Sequence, residues 1–255
     1  PELIDPGNGA FDHEVVPRVV GGATPGCELR AASVLSRYAT SVHHVNSLAA
    51  AEMTKLLENT FRAVNIALAN EVADICRELD VPVTTVIEAA ATKPYGFMPF
   101  HPGPGVGGHC IPCDPHYLLW QLKERRVHAP LISQAMTEIA ARPARVVDRA
   151  AQVLSDNGLG LSGTRILLLG IAYKPDVADL RESPALEILS GLARRGASVG
   201  YVDSHFPTAP AIHGETFEAV GSPAEFDPQL VIVHTRHSDL DLSWMPGYNE
   251  RETHK

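Results

Sequence analysis

The chain has 255 residues, 45% of them hydrophobic, enough to bury a sizeable core in one or two domains and too apolar for a disordered chain. A formal net charge of -9, with no cluster of five or six basic residues, disfavours electrostatic binding to nucleic acid and leaves small molecules or further copies of the chain as partners. No run of eighteen apolar residues occurs, residues 1–6 lack the regions of a signal peptide, and four cysteines at 27, 76, 110 and 113 do not make a disulfide framework. These features predict a cytoplasmic protein with free thiols and no membrane segment.

In chain order, Asp5-Pro6-Gly7-Asn8-Gly9 is turn chemistry, and the β-branched run at 15–20 reads as one strand closed by Gly21-Gly22. A lone strand is not stable, so its sheet is expected elsewhere. From 29 to 79 the apolar spacing is helical, and 45–79, free of Gly and Pro, predicts one long helix of the kind that packs against a partner helix. Further helices are expected over 84–92, from Asp114 as N-cap with Pro115 at the first helical position, and over 131–155, where Pro143 should bend or interrupt the run. After Asn157-Gly158 the period changes: strands at 165–170, 197–202 and 230–234, with a helix opening at Ser183-Pro184, predict a small parallel sheet. The expected class is therefore α/β, with regions at 1–24, 25–157 and 158–255, the middle one helical. Residues 246–255 read as a polar tail where more strand would be expected.

The densest chemistry lies in Gly103-Pro104-Gly105-Val106-Gly107-Gly108-His109-Cys110-Ile111-Pro112-Cys113-Asp114-Pro115. Glycines let backbone approach a bound group, and prolines stiffen the loop that presents Cys110. Cys110-x-x-Cys113 with His109 and His116 also has the look of half a zinc site or of a redox pair before a helix. A zinc site lacks its second ligand pair, because Cys27 and Cys76 are isolated, so no metal is expected. On oxidation Cys113 could trap Cys110. Lys55 and Asn59, four apart, share a helix face.

This loop, preceded about fifty residues earlier by Ala51-Glu52-Met53-x-Lys55-Leu56-x-Glu58-Asn59-Thr60, resembles the nucleotide-sugar 6-dehydrogenase family, which includes UDP-glucose, GDP-mannose and UDP-N-acetylhexosamine dehydrogenases. The resemblance implies a helical central dimerisation domain followed by a Rossmann-like domain that binds the UDP-sugar, with 1–24 as the tail of an NAD-binding domain whose first strand and Gly-rich turn are absent. It implies a homodimer built on the long helix, and a four-electron oxidation in which NAD takes hydride from a primary alcohol. Cys110 captures the aldehyde as a thiohemiacetal, a second NAD gives a thioester, and water releases the acid.

By the same resemblance, Lys55 stabilises the developing alkoxide, Asn59 donates a hydrogen bond, and Asp114 with Lys55 polarises a water. Glu2 contacts substrate and assists thioester hydrolysis. Gly107, Gly108 and His109 line the substrate, as does Lys174, and Arg181 reaches cofactor phosphate near the helix that begins at Ser183-Pro184. Asp203, after the second strand of the sheet, is faint support for ribose binding. Gly-Gly-His-Cys is most similar to the UDP-N-acetylhexosamine branch. The alternative is a catalytically silent remnant that binds nucleotide sugar or dimerises.

Overall fold

The computed structural model describes residues 14–212 and 214–245; the turn at 5–9, Glu2 and the tail at 246–255 lie outside them. Strand β1 (Arg18–Val20) is followed by helix α1 (Pro25–Leu35) and strand β2 (Val42–His44). The two strands pair in parallel, Val19 opposite His43. The strand's sheet was expected elsewhere, and its partner is this later segment: parallel pairing needs a crossover, and α1, capped by Thr24, supplies it. Reading 29–79 as wholly helical overlooks β2, because three residues are too short for an alternating pattern to register.

The long helix α2 spans Leu48–Glu78, with the Ser47 hydroxyl accepting the Ala50 N–H at 3.1 Å. Helix α3 (Val83–Ala91) follows, and after the Gly-rich loop come α4 (Asp114–Glu124) and α5 (Pro130–Asp156). Pro143 does not interrupt α5, which continues through it for 27 residues. Removing one N–H costs the helix a single bond, and here the proline ring is buried in an interface.

Helix α5 ties the two halves of the chain together. Its buried positions recur every three or four residues, from Ala135 to Leu154. Ala135, Met136 and Ile139 pack on Ala63 and Ala67 of α2. Val147, Ala150 and Leu154 pack on the C-terminal core instead, against Ile166, Leu168, Ile188 and Leu192.

That core is a sheet of β3 (Arg165–Leu169), β4 (Ser198–Val202) and β5 (Leu230–Val233), all parallel in the order β4-β3-β5. Helix α6 (Pro184–Arg194) connects β3 to β4, and a four-residue helix α7 (Pro223–Phe226) precedes β5. Period two is visible in β3. Ile166 and Leu168 face the α5–α6 side, while Leu167 and Leu169 face Leu242, Phe226 and Trp244. The α/β architecture expected from the pattern is the one observed. Among the described residues no helix is long and apolar enough to cross a membrane.

At the C-terminal edge of this sheet sits a buried polar network. The Asp203 carboxylate accepts the N–H groups of Ile171 (2.7 Å), Ala172 (3.1 Å) and His205 (2.9 Å). The Asp176 N–H donates to His237 Nδ1 at 3.0 Å, so the ring proton is on Nε2, which donates to Asp203 at 3.1 Å. Burial pushes the Asp203 carboxyl up, but these hydrogen bonds together hold it below its ordinary value. Its oxygens are therefore spent inside the protein, against the reading of Asp203 as a ribose ligand. The same bonds use both nitrogens of His237, so although Asp176, His205 and His237 lie close enough to hold an ion, only the first two have ligand atoms to offer.

His234, on the same edge, makes a testable contribution to acid sensitivity. Thr235 Oγ1 donates to the Ala172 carbonyl and so accepts from His234 Nδ1, which leaves Nε2 buried, unprotonated and without a partner among the described residues. Burial lowers the imidazole from 6.5 to about 4, outweighing the pull of the Gly170 backbone and Asp203. Between those values the unfolded chain binds the extra proton, so stability falls on acidification and the loss is complete below about 4. The shift corresponds to about 3 kcal/mol. Urea unfolding at pH 7 and pH 4 should show this loss in the native chain and a smaller one in His234→Gln; equal losses would reject the assignment.

Candidate active site

The glycine loop crosses from α3 to α4 and is fastened at both ends. At its start the Gly103 N–H donates to Asn70 Oδ1 (2.8 Å), and its carbonyl accepts from Arg142 Nε (3.1 Å). Arg142 is in turn held by both carboxylate oxygens of Asp74, at 2.9 and 2.8 Å. Burial pushes the Asp74 carboxyl up, but Arg142 and Arg77 outweigh it and keep it ionised below the usual range. These anchors were not anticipated. The available signal was a pair of polar residues, Asn70 and Asp74, continuing the buried stripe Asn59, Ala63, Ala67 along α2.

Farther along, the loop docks on the turn after β3. The Gly108 N–H donates to the Arg181 carbonyl at 2.8 Å. A Cβ on Gly107 would lie 2.4 Å from Tyr173 Cβ, and one on Gly105 would lie 2.7 Å from Pro184 Cγ. The space freed by the missing side chains is thus filled by protein. The Gly108 N–H, expected to face substrate, is spent on the fold.

Cys110 comes next, half-buried, on a turn whose carbonyl accepts the N–H groups of Cys113 (3.2 Å) and Asp114 (2.8 Å). That turn feeds α4, and here the cap assignment is corrected. Cys113 occupies the N-cap without a side-chain bond, and Asp114 is the first helical residue. The Asp114 carboxylate is free of cap duty and accepts from Asn59 Nδ2 at 2.6 Å. A carboxylate can only accept, so the amide orientation is fixed and Asn59 Oδ1 is left buried with no partner among the described residues. An orphaned buried acceptor costs free energy unless something, such as a water, donates to it.

Lys55 lies one turn before Asn59 on α2, half-buried. Cys113 borders the same cluster: burial first, then the charges of Glu182, Asp114 and Cys110, push its thiol up. His109 is exposed, and Lys174 is half-buried just after Tyr173. The Arg181 guanidinium, expected at a phosphate, is folded onto the Asp179 carboxylate, with Nη2 at 2.6 Å. The structure therefore gathers Asn59, Cys110, Cys113 and Asp114, and joins the loop to Tyr173 and Arg181. Glu2 lies outside the described residues.

The sequence matches two family models: the central domain of the UDP-glucose/GDP-mannose dehydrogenase family over residues 49–138, and the UDP binding domain of that family over residues 167–250. Among curated relatives, it is 32% identical to a UDP-N-acetyl-D-glucosamine 6-dehydrogenase of Pseudomonas aeruginosa over 94% of this chain and 57% of that protein. It is 38% identical to a UDP-N-acetyl-D-mannosamine dehydrogenase of Salmonella typhi, over 76% of this chain and 46% of that protein. The solved UDP-D-ManNAc dehydrogenase of Pyrococcus horikoshii superposes with a TM-score of 0.77 at 29% identity, covering 88% of this chain and 51% of that one. The chain spans about half the length of the relatives it matches. With both family models matched in order and the Cys110 loop lying between the helical region and the parallel sheet, the chain belongs to the UDP-glucose/GDP-mannose dehydrogenase family, of which it holds the central and UDP-binding domains.

Proposed function

We propose that this chain carries the substrate-holding and covalent part of an NAD-dependent nucleotide-sugar 6-dehydrogenase that oxidises the C6 hydroxyl of a UDP-N-acetylhexosamine to the uronic acid. The observation that carries the reading is the Asn59–Asp114 hydrogen bond beside the Cys110 turn, with an unpartnered Asn59 acceptor next to it. In this reading Lys55 offsets negative charge developing on the sugar oxygen, and Asn59 and Asp114 orient a water. The Cys110 thiolate adds to the C6 aldehyde and holds it as a thiohemiacetal; loss of hydride to an acceptor would raise this to the thioester, from which the thiolate leaves when water attacks. Lys174, Gly107 and His109 are assigned to the sugar nucleotide. The names of the relatives and the Gly-Gly-His-Cys sequence favour an N-acetylated sugar over glucose.

NAD, when bound, supplies the hydride acceptor of this family, but the described residues do not by themselves complete a site for it. Gly21 and Gly22, between β1 and α1, are packed by Ser47 O and Glu28 N, where Cβ atoms would stand 2.1 and 2.5 Å away. The N–H groups of Ile171 and Ala172, at the matching turn of the second sheet, are closed by Asp203 instead of open to a phosphate. No step is therefore assigned here to the cofactor, and Arg181 as a phosphate ligand requires the guanidinium to leave Asp179.

The outer face of α2 supports a homodimer as part of the same proposal. Met53, Leu57, Phe61, Leu68 and Ile75 form a stripe at helical spacing, and all are exposed. For the function itself, melting of the chain should rise by several degrees with UDP-N-acetylglucosamine or UDP-N-acetylmannosamine at concentrations near a hundred times Kd, and by less with UDP-glucose. No rise with any UDP-sugar would reject the substrate class.

A further inference from the structure

Cys113 caps nothing with its side chain, and it lies one turn from the proposed nucleophile. We propose that Cys110 and Cys113 form a reversible intrachain disulfide, making this loop a redox modification site. Its inhibitory consequence rests on the catalytic role assigned to Cys110, but the bond itself does not.

The geometry is that of a closed turn. The Cys113 N–H reaches the Cys110 carbonyl at 3.2 Å and the Asp114 N–H reaches it at 2.8 Å. An i to i+3 turn of this kind brings the two Cα atoms within about 7 Å, overlapping the roughly 4.4 to 6.8 Å that a disulfide spans. Pro112 fixes the backbone between them. Both residues are half-buried, and Cys113 opens on a surface cleft shared with Pro112, His116, Tyr117 and Trp120, so a small oxidant has access. Of the other two cysteines, Cys76 is buried in α2 and Cys27 is exposed on α1.

The two thiols would divide the work. Cys113 is the poorer attacking group at neutral pH, since burial and the carboxylates of Glu182 and Asp114 favour its protonated form. With glutathione disulfide, the Cys110 thiolate attacks one sulfur, forming a Cys110–glutathione disulfide and expelling a glutathione thiolate. Cys113 then loses its proton to solvent and attacks the Cys110 sulfur, forming the Cys110–Cys113 bond and expelling the second glutathione. Two electrons pass from the protein dithiol to the glutathione disulfide, and a reducing dithiol reverses both steps. While the bond persists, Cys110 has no thiolate to add to an aldehyde.

The test is thiol mapping of the full 255-residue chain after exposure to excess glutathione disulfide, alkylation of free thiols, digestion and mass spectrometry without reduction. Alkylation of both Cys110 and Cys113 should fall by about tenfold or more, with the peptide carrying both lighter by two hydrogens, and dithiothreitol should restore it. In Cys113→Ser, which keeps a good N-cap residue, Cys110 should instead retain glutathione. Free thiols, a persistent glutathione adduct on Cys110 of the native chain, or a bond from Cys110 to Cys27 or Cys76 would each overturn the proposal. Because the readout is mass and not turnover, a disulfide that forms in a chain whose Cys110 proves dispensable would sink the catalytic role and leave the redox site standing.

Discussion

Cys110→Ala is expected to lower release of uronic acid from a UDP-N-acetylhexosamine by about a thousandfold or more, while the rise in melting temperature given by the UDP-sugar persists. The measurement belongs in a protein that carries this chain together with a dinucleotide-binding region, followed by product mass and by NADH formation. The size of the effect follows from where the residue sits. The loop is pinned by Asn70 and Arg142 at Gly103 and by the Arg181 carbonyl at Gly108, so Cys110 is held at one place against the Asn59–Asp114 pair. No neighbouring side chain can replace it. Cys113 is one turn away, but it sits at the N-cap of α4 and its charged form is disfavoured. A variant that still released acid at the native rate would remove Cys110 from the mechanism, whereas unchanged turnover combined with lost sugar stabilisation would point to a binding role instead.

Sequence reading recovered what periodicity and turn residues encode locally. Helix α2 begins three residues later than expected and ends one earlier, and the three strands of the C-terminal sheet lie where the apolar runs put them. It missed β2, which has too few residues to carry a period, and α7, which has four. At the site, Lys55, Asn59, Cys110 and Asp114 could be singled out, but the relation between them could not. Asn59 and Asp114 are 55 residues apart, and only the packing of α4 on α2 turns a residue expected to cap a helix into the partner of a buried amide. The glycines taught a similar lesson. A missing Cβ signals close approach without naming what approaches, and here Tyr173 and Pro184 do.

Gly170→Ala is expected to cost about 3 kcal/mol or more, roughly 10 °C in melting temperature, and to loosen the Cys110 loop as a consequence. Gly170 ends β3 with φ at +76°, and a Cβ there would stand 1.9 Å from the Thr235 carbonyl oxygen. Neither backbone can step aside. The N–H groups of His234 and Thr235 both donate to the Leu169 carbonyl, and the Gly170 N–H donates to Val202 at 2.8 Å, so the crossing of β3, β4 and β5 is locked. Gly170 also delivers the next two N–H groups to Asp203 and, through them, sets Tyr173 against Gly107. Gly158→Ala separates the two causes. Its φ is +74°, but nothing lies within 4 Å of the added carbon, so only the backbone conformation is penalised and about 1 kcal/mol is expected. If urea unfolding gave equal losses for the two variants, the close approach to Thr235 would not be what fixes this turn. If Gly170→Ala alone also made Cys110 more reactive to a thiol reagent, the path from sheet edge to Tyr173 to the glycine loop would be established as the way the UDP-binding domain holds Cys110 of the central domain in place.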